Sequence, residues 1–220
     1  MCIRDSYIVD ELFNIVNTSS AFVSINAILE DRNGDLWIGW GNFDTGKKDD
    51  TGGLARLDKT TGKFIQYKHD PDNPNSLSDN NVFSIYEDSK NNLWVSTKGN
   101  GLQTLDRATG NFTHYDYFDQ AHPEMISSPP YRGSEYDFVT FISEDVKGSL
   151  WIGSSSGGVN MYDPELKKTT HFGNVSNDKT AQFANDTLSG FTDSSAVRSF
   201  NSRDGLLWII SDNGNVYNVD

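Results

Sequence analysis

A Leu-Trp pair recurs along the chain, and this repeat constrains the fold more than any other feature. The tryptophans of the four pairs are Trp37, Trp94, Trp151 and Trp208. Successive copies are 57 residues apart, and each pair lies near the end of a similar stretch, such as ILEDRNGDLWIG from Ile28. A fixed period of this size indicates an array in which each copy forms one supersecondary unit and neighbouring copies bury a shared core.

Each copy is predicted to form four short antiparallel strands. In the second copy, apolar alternation and turn signals predict strands over 82–87, 93–97, 102–105 and 112–115. A residue that tolerates positive φ precedes each tryptophan by three positions and predicts a tight two-residue hairpin. These residues are Gly34, Asn91, Gly148 and Gly205. We expect the tryptophans to pack between blades of an all-β fold, a β-propeller of four-stranded antiparallel blades.

The copies also predict how the chain is divided. Blade 1 and its linker are expected at 21–78, blade 2 with a long loop at 79–135, blade 3 with a long loop at 136–195, and a partial blade 4 at 196–220. About three and a half blades leave strand edges open, so the propeller is expected to be incomplete. Residues 7–20 are interpreted as a linker or the end of a preceding blade, with a candidate strand at 11–16. Residues 1–6, MCIRDS, fit no repeat and are interpreted as a non-native leader.

Composition excludes several classes of function. The net charge of −13 disfavours contact with nucleic acid. No apolar run approaches the roughly 18 residues of a membrane span, so we expect no membrane contact by this segment. The one cysteine, Cys2, lies in the suspect leader, which excludes disulfides and cysteine-based zinc sites. The four histidines do not cluster, and we predict no metal and no cofactor.

Two repeated features have structural interpretations. An acidic pair recurs at one blade position, as Glu30-Asp31, Glu87-Asp88 and Glu144-Asp145. Repetition favours turn stabilisation over acid–base chemistry. The Asp70-Pro71-Asp72-Asn73 cluster lacks the spaced glycine and final glutamate of an EF-hand loop. In copy four, the first strand near Val197 is predicted to lie one residue out of phase, with a bulge or deletion.

The repeats resemble a known family, the two-component regulator propeller repeats, across Ala21 to Asp220. The most specific stretch is YKHDPDNPNSLSDNNVFSIYEDSKNNLWVSTKGNGLQTLDRATGNFTHY, from Tyr67 to Tyr115. The resemblance implies a periplasmic sensor propeller of a hybrid two-component histidine kinase, as in Bacteroidetes, that detects oligosaccharides. It implies an inner-membrane parent protein, and further blades and signalling domains of that chain as partners. It leaves a homodimer open.

Residues that differ between copies are the candidate ligand-binding residues, because function tends to lie where repeats differ. One group lies in an insertion of copy one, the other in the long segment after copy two. These residues are Trp40, Asn42, Asp44, Tyr117, Tyr131, Arg132 and Tyr136. Aromatic rings beside amide, carboxylate and guanidinium groups suit sugar binding. The alternative, ranked ahead of it, is that these aromatics pack against further blades or another domain.

The sequence therefore predicts a non-enzymatic, ligand-sensing fragment with no catalytic residues. Three alternatives stay open. The propeller is attached to another output, such as a diguanylate cyclase; it is a secreted hydrolase or lyase acting on polysaccharide; or it is a protein-binding scaffold. The hydrolase or lyase needs unrepeated acid, base and arginine residues at the propeller axis, and the copies supply none.

Overall fold

The computed structural model describes residues 24–42, 52–98, 102–115, 139–155, 158–172, 196–203 and 205–219. They form four antiparallel sheets in sequence order and contain no helix. Each sheet is a simple meander in which consecutive strands are neighbours. The prediction of an all-β propeller built from four-stranded blades is confirmed, with three four-stranded sheets and a fourth sheet of three strands in the described residues.

The strands follow the repeat. Blade 1 has β1 (Ser24–Glu30), β2 (Leu36–Gly41), β3 (Gly53–Asp58) and β4 (Lys63–Tyr67). Blade 2 has β5 (Val82–Glu87), β6 (Leu93–Thr97), β7 (Leu102–Leu105) and β8 (Phe112–Tyr115). Blade 3 has β9 (Val139–Glu144), β10 (Leu150–Ser154), β11 (Val159–Asp163) and β12 (Lys168–Phe172). Blade 4 has β13 (Ala196–Asn201), β14 (Leu207–Ser211) and β15 (Val216–Val219). The candidate strand at 11–16 lies outside the described residues.

The turn before each tryptophan is longer than predicted. In blade 1 the Gly34 N–H donates to the Asp31 carbonyl, and the Asp31 N–H donates to the Asp35 carbonyl. These bonds enclose a three-residue loop, so the prediction of a two-residue hairpin is wrong. The Asp31 carboxylate stabilises the longer loop by accepting the N–H groups of Asn33 and Asp35. Such loops still need positive φ at their third residue. The φ angles are +77° at Gly34, +66° at Asn91, +84° at Gly148 and +87° at Gly205.

Copy four is in phase with the others, which corrects the predicted offset. Ser199 pairs with Ile209 in blade 4 as Ile28 pairs with Ile38 in blade 1. The expected bulge is present in copy four, but the first strand of every blade has one. The inserted residues are Asn26, Phe83, Thr140 and Val197. Their spacing of 57 residues makes the bulge part of the repeat, where it increases the local strand twist.

Consecutive blades share apolar cores that contain the first three repeated tryptophans, whereas the fourth, on the outermost blade, is only partly buried. Trp37 is fully buried in a cluster with Val82 and Ile85 of blade 2. Trp94 belongs to the cluster between blades 2 and 3, and Trp151 to the one between blades 3 and 4. Burying one large aliphatic side chain contributes about 1.5–3 kcal/mol. Blade-to-blade packing therefore supplies most of the core of this array.

The two outermost faces of the array present apolar side chains to solvent. On blade 1, Ile28 is 64% exposed, whereas Ile85, its equivalent on blade 2, is 9% exposed beneath blade 1. On blade 4, Phe200 and Val216 are 50% and 55% exposed. The equivalent of Val216 on blade 2, Leu102, is fully buried against blade 3. The outer faces thus have the composition of a blade-to-blade interface.

Candidate functional site

The two described residues among the candidate ligand-binding residues are buried. Trp40 has no exposed surface and packs in a small cluster with Ile38 and Ala55. No face of its ring is open to a sugar, so the structure gives its predicted stacking role no support. Asn42 is also buried, and its backbone N–H donates to the Asn81 side chain at 2.6 Å. The other candidates, Asp44, Tyr117, Tyr131, Arg132 and Tyr136, lie outside the described residues.

All the long insertions join the blades at one end. Strand 2 of each blade ends there, and strand 4 of blades 1 to 3 ends beside it. We call this end the loop face. The segments 43–51, 116–138 and 173–195 begin and end at this face, because the strands that flank them do. The opposite end, where the three-residue loops connect strands 1 and 2, is called the turn face.

The repeated aspartates hold the tryptophans at the turn face. The indole Nε1–H donates to a carboxylate oxygen at 2.8 Å in the pair Trp37–Asp31 and at 2.9 Å in Trp94–Asp88. The pair Trp151–Asp145 repeats the bond at 2.8 Å. Burial raises the pKa of Asp31, but hydrogen bonds from Trp37 and the Asp35 backbone and the charge of Arg107 outweigh it, so that the pKa lies below its usual value. The carboxylates act as turn and indole acceptors.

The repeated glutamates connect neighbouring blades. The Glu87 carboxylate accepts the backbone N–H of Arg32 in the turn of blade 1. Glu144 accepts the backbone N–H and the hydroxyl of Ser89 in the turn of blade 2, at 2.7 and 2.6 Å. The same carboxylate position therefore links blade 1 to blade 2 and blade 2 to blade 3.

Two arginines fill the turn face of the first interface, between blades 1 and 2. The Arg107 guanidinium donates to Glu87 at 2.7 Å and lies 3.4 Å from the Asp31 carboxylate. Its carbon atom is 6.0 Å from the centre of the Trp37 ring, and that of Arg56 is 5.7 Å from it. These are cation–π distances. The first interface is thus closed by guanidinium groups stacked on a buried indole.

The second interface, between blades 2 and 3, lacks both arginines. Arg56 lies opposite Trp37 on β3, and Thr104 occupies the equivalent place opposite Trp94 on β7. Arg107 directly follows Asp106, whereas Pro164 follows the equivalent Asp163. Neither replacement reaches across the interface. A cavity of about 270 Å³ lies in the place that Arg107 occupies one blade earlier.

The cavity combines aromatic and acidic walls. Trp94, Tyr115 and Tyr162 line it together with Asp88, Glu144 and Gly148. The Trp94 and Tyr115 ring centres are 5.5 Å apart. Lys90, an exposed residue of the turn between β5 and β6, also lines the cavity. Burial, then the Glu144 charge, raises the pKa of the neighbouring Tyr86 to about 12.

This cavity is not among the predicted sites. The candidate residues are ones that differ between copies at the insertions, whereas the cavity arises from substitutions inside the repeat. The two substitutions are visible when the copies are aligned, because Pro164 aligns with Arg107 and Thr104 aligns with Arg56.

The acidic linker between blades 1 and 2 is held by local hydrogen bonds. Asp70 and Asn73 each accept a backbone N–H two residues later, and the His69 ring bonds to the Leu77 carbonyl. His114 on β8 bonds to the Ser76 carbonyl at 2.8 Å. In the described part of the chain, no group of three or more histidine, cysteine, aspartate or glutamate residues is arranged to hold a metal ion. The described residues contain no helix long and apolar enough to cross a membrane.

Comparisons with known proteins agree with this architecture. Residues 19–39 and 76–99 match the family model described as "Two component regulator propeller". The first segment contains the turn of blade 1 from Asp31 to Trp37, and the second contains the equivalent turn of blade 2, from Asp88 to Trp94. The geometry defines the described residues as consecutive β-propeller blades, and three of these blades carry the Asp–Trp bond. Two segments of the chain match repeats of the two-component regulator propeller family.

Three proteins that are similar to this chain are much longer than it. Histidine kinase P4 of Formosa agariphila is 33% identical over 91 residues, which cover 39% of this chain and 6% of that protein. PorZ, a surface component of the type-IX secretion system of Porphyromonas gingivalis, aligns with a TM-score of 0.57 and 14% identity over 89% of this chain and 26% of PorZ. The likeness to PorZ shows the propeller fold.

A further solved structure is the extracellular domain of BT4673 from B. thetaiotaomicron, described as a hybrid two-component system. It aligns with a TM-score of 0.35 and 21% identity, covering 90% of this chain and 28% of that domain. The chain thus spans a small part of each of these relatives.

Proposed function

We propose that this chain is a ligand-sensing propeller segment of a membrane-bound two-component sensor. On this proposal it lies outside the cytoplasm, detects an oligosaccharide and passes the signal to a histidine kinase. The observation that carries the proposal is the pair of two-component regulator propeller repeats at 19–39 and 76–99, in a chain related to a histidine kinase.

The outer faces of the array support a propeller with further blades. Ile28 on blade 1 and Phe200 on blade 4 are exposed at positions that are covered by a neighbour within the array. Further blades of the parent polypeptide would cover these apolar faces and close the ring. Blades that pack rigidly in this way can pass a ligand-dependent shift to the next domain as a rigid-body movement.

The loop face is the proposed place for the oligosaccharide. The segments that carry Asp44, Tyr117, Tyr131, Arg132 and Tyr136 all attach at this end of the blades. Aromatic rings and polar side chains brought to one end of a rigid scaffold are the usual composition of a binding site for a polar ligand.

Binding of oligosaccharides to the 220-residue chain tests the proposal. A panel of neutral oligosaccharides is titrated by isothermal calorimetry against the wild-type chain and against a Tyr131→Ala/Arg132→Ala variant. One member of the panel is expected to bind, and the variant is expected to weaken it roughly tenfold, as for the loss of an aromatic and a charged contact. The matched control is Phe200→Ala, which removes a half-exposed ring outside the long segments and is expected to leave binding unchanged.

Two results would contradict the proposal. One is the absence of binding by any oligosaccharide to a folded chain, as judged by circular dichroism. The other is equal binding by the wild-type chain and the Tyr131→Ala/Arg132→Ala variant. The relay is tested in the parent polypeptide, where the bound oligosaccharide should change the rate of kinase autophosphorylation.

A further inference from the structure

We infer that the cavity between blades 2 and 3 is a binding site for a guanidinium group. It lies at the turn face, away from the long segments, and this inference does not depend on the proposed oligosaccharide. The ligand class follows from a comparison inside the molecule, because the equivalent space one blade earlier is filled by the guanidinium of Arg107.

Arg107 shows which groups surround a guanidinium in this space. It donates to Glu87 and to the Asn91 carbonyl, approaches the Asp31 carboxylate, and lies over the Trp37 ring. Hydrogen bonds, charge and an aromatic face thus act on one planar cation. This combination is specific for guanidinium among biological cations, since it uses both the flat face and the forked N–H donors.

The described residues of the second interface keep these groups and place no guanidinium between them. Glu144 replaces Glu87, Asp88 replaces Asp31, Trp94 replaces Trp37, and Gly148 supplies the carbonyl at the position of Asn91. Pro164 stands where Arg107 would be. A bound guanidinium would donate to Glu144 and to the Gly148 carbonyl, with its plane against Trp94.

Electrostatics favour a cation in this cavity. The Asp88 carboxylate is buried and accepts hydrogen bonds from Trp94 and Asn92, so its acceptor needs are met by neutral groups. Glu144 is likewise bonded to the neutral Ser89. In the first interface a guanidinium lies between the two equivalent carboxylates. Between Asp88 and Glu144 the described part of the chain places none, and the ammonium of Lys90 is the cationic group that lines the cavity. A cation is attracted more strongly in such a partly desolvated site than in water.

The size of the cavity limits the ligand. A volume of about 270 Å³ lies below the range of most sites for drug-sized molecules. It accommodates a guanidinium on a short aliphatic stem, either a free small guanidine or an arginine side chain of a peptide. The two sources share the recognised group and are separated by the test.

NMR of the 220-residue chain tests the site through the Trp94 indole, whose Nε1–H cross-peak is assigned with a Trp94→Phe variant. Agmatine represents the free guanidine, and the peptide Gly-Arg-Gly represents the side chain. L-citrullinamide is the control, an arginine derivative in which a neutral ureido group replaces the guanidinium while the amino group keeps its charge. We expect agmatine, Gly-Arg-Gly or both to shift the Trp94 cross-peak with a dissociation constant on the order of millimolar. Binding of agmatine alone assigns the site to small guanidines, and tighter binding of the peptide assigns it to arginine side chains. L-citrullinamide is expected to cause no saturable shift.

Filling the cavity from within provides the decisive variant. Pro164→Arg places an arginine where Arg107 stands in the first interface and is expected to abolish the agmatine and peptide shifts. Leu166→Arg adds the same single charge two residues further on, at a side chain that is 73% exposed, and is expected to retain most of the binding. Should Pro164→Arg fail to fold, Thr104→Arg fills the same cavity from β7, in the manner of Arg56. Glu144→Gln is expected to weaken binding roughly tenfold through the loss of a charged acceptor.

Three outcomes would overturn the inference. They are a wild-type Trp94 cross-peak that shifts with none of the guanidinium probes, equal shifts with L-citrullinamide, and unchanged agmatine binding in a folded variant with the cavity filled. None of them bears on binding at the loop face, so the inference and the proposed function fail separately.

Discussion

The first and second blade-to-blade interfaces share one apolar centre and differ at the turn face. Both bury a tryptophan whose indole is bonded to an aspartate, and both are crossed by a glutamate from the next blade. In the first, Arg56 and Arg107 cover the indole; in the second, Thr104 and Pro164 leave a cavity beside it. Repeated residues maintain the array, and a change at two positions turns a sealed interface into an open one.

The largest expected effect comes from removing the central indole of each interface. Trp37→Ala should lower the free energy of unfolding by about 3–5 kcal/mol, the usual cost of truncating a buried tryptophan. Trp94→Ala should cost about 1 kcal/mol less, because Trp94 already borders a cavity and carries no stacked guanidinium. Urea denaturation followed by far-ultraviolet circular dichroism measures both. An equal or larger loss in Trp94→Ala would show that the arginines add nothing to the first interface.

Removal of Arg107 tests the charged part of the first interface. The side chains of Glu87 and Asp31 are 6% and 0% exposed, so Arg107→Ala leaves two buried carboxylates without their cation. We expect a loss of about 2–3 kcal/mol in the free energy of unfolding.

A matched control for Arg107 is available in blade 1. Lys59 is the equivalent residue, and its pair with Glu30 at 3.8 Å is exposed. Lys59→Ala should therefore change the free energy of unfolding by less than about 0.5 kcal/mol. If both variants lost the same amount, the burial of the Arg107 network would be irrelevant to stability.

The hydrogen bonds beside the bulges are expected to make smaller contributions to the free energy of unfolding, of similar size in the two interfaces. Asn26, the inserted residue of β1, donates to the Val82 carbonyl at 2.8 Å. In the second interface the inserted residue is Phe83, and Ser96 on β6 instead donates to the Val139 carbonyl at 3.0 Å. Thr140 makes the equivalent bond to the Ala196 carbonyl in the third interface.

Asn26→Ala and Ser96→Ala should each cost about 1 kcal/mol in the free energy of unfolding, the net value of one hydrogen bond. The control is Ser24→Ala, an exposed change on the same strand as Asn26, expected to stay within about 0.5 kcal/mol. Urea denaturation of the three variants measures the differences. A loss for Asn26→Ala alone would mean that Ser96 does not replace the bulge residue as donor.

The sequence predicts the fold well because every copy carries the same structural signals. Each copy supplies alternating apolar residues, a residue for positive φ and a Leu-Trp pair, so that strands such as β5 and β6 begin and end at the predicted residues. The predicted offset of copy four follows from matching apolar residues, because Phe200 is apolar like Ile28, whereas the equivalent position holds the polar Ser199. Apolar matching alone does not determine register when a repeat degenerates.

The candidate site was less predictable, and for a different reason. Trp40 is a candidate because it differs between copies, but its surroundings bury it. Burial depends on tertiary packing, which the residue type alone does not predict. The cavity is present because Pro164 does not extend to the neighbouring blade as Arg107 does. The aligned copies show this substitution, but only the packed blades show that Arg107 contacts the blade before it.

The smallest effect is expected at high pH, from Tyr86 in the second interface. Leu29 stands at the equivalent place in the first interface, which therefore has no tyrosine at this position. Burial and the Glu144 charge raise the pKa of Tyr86 from 10.0 to about 12 in the folded chain. Below pH 10 the phenol is protonated in both states and adds no pH dependence. Between about pH 10 and 12 the unfolded chain ionises first, so that the free energy of unfolding falls as the pH rises.

Tyr86→Phe should therefore flatten the fall in stability between about pH 9 and pH 11, whatever it does to stability at neutral pH. Urea denaturation of wild type and variant across this range gives the two slopes. Tyr67→Phe is the comparison in the first interface, where burial raises the tyrosine pKa in the same direction and a smaller flattening is expected. Parallel slopes for wild type and Tyr86→Phe would show that the phenol is as well solvated in the folded chain as in the unfolded one. The second interface would then be more open to water than the buried Trp94 beside its cavity implies.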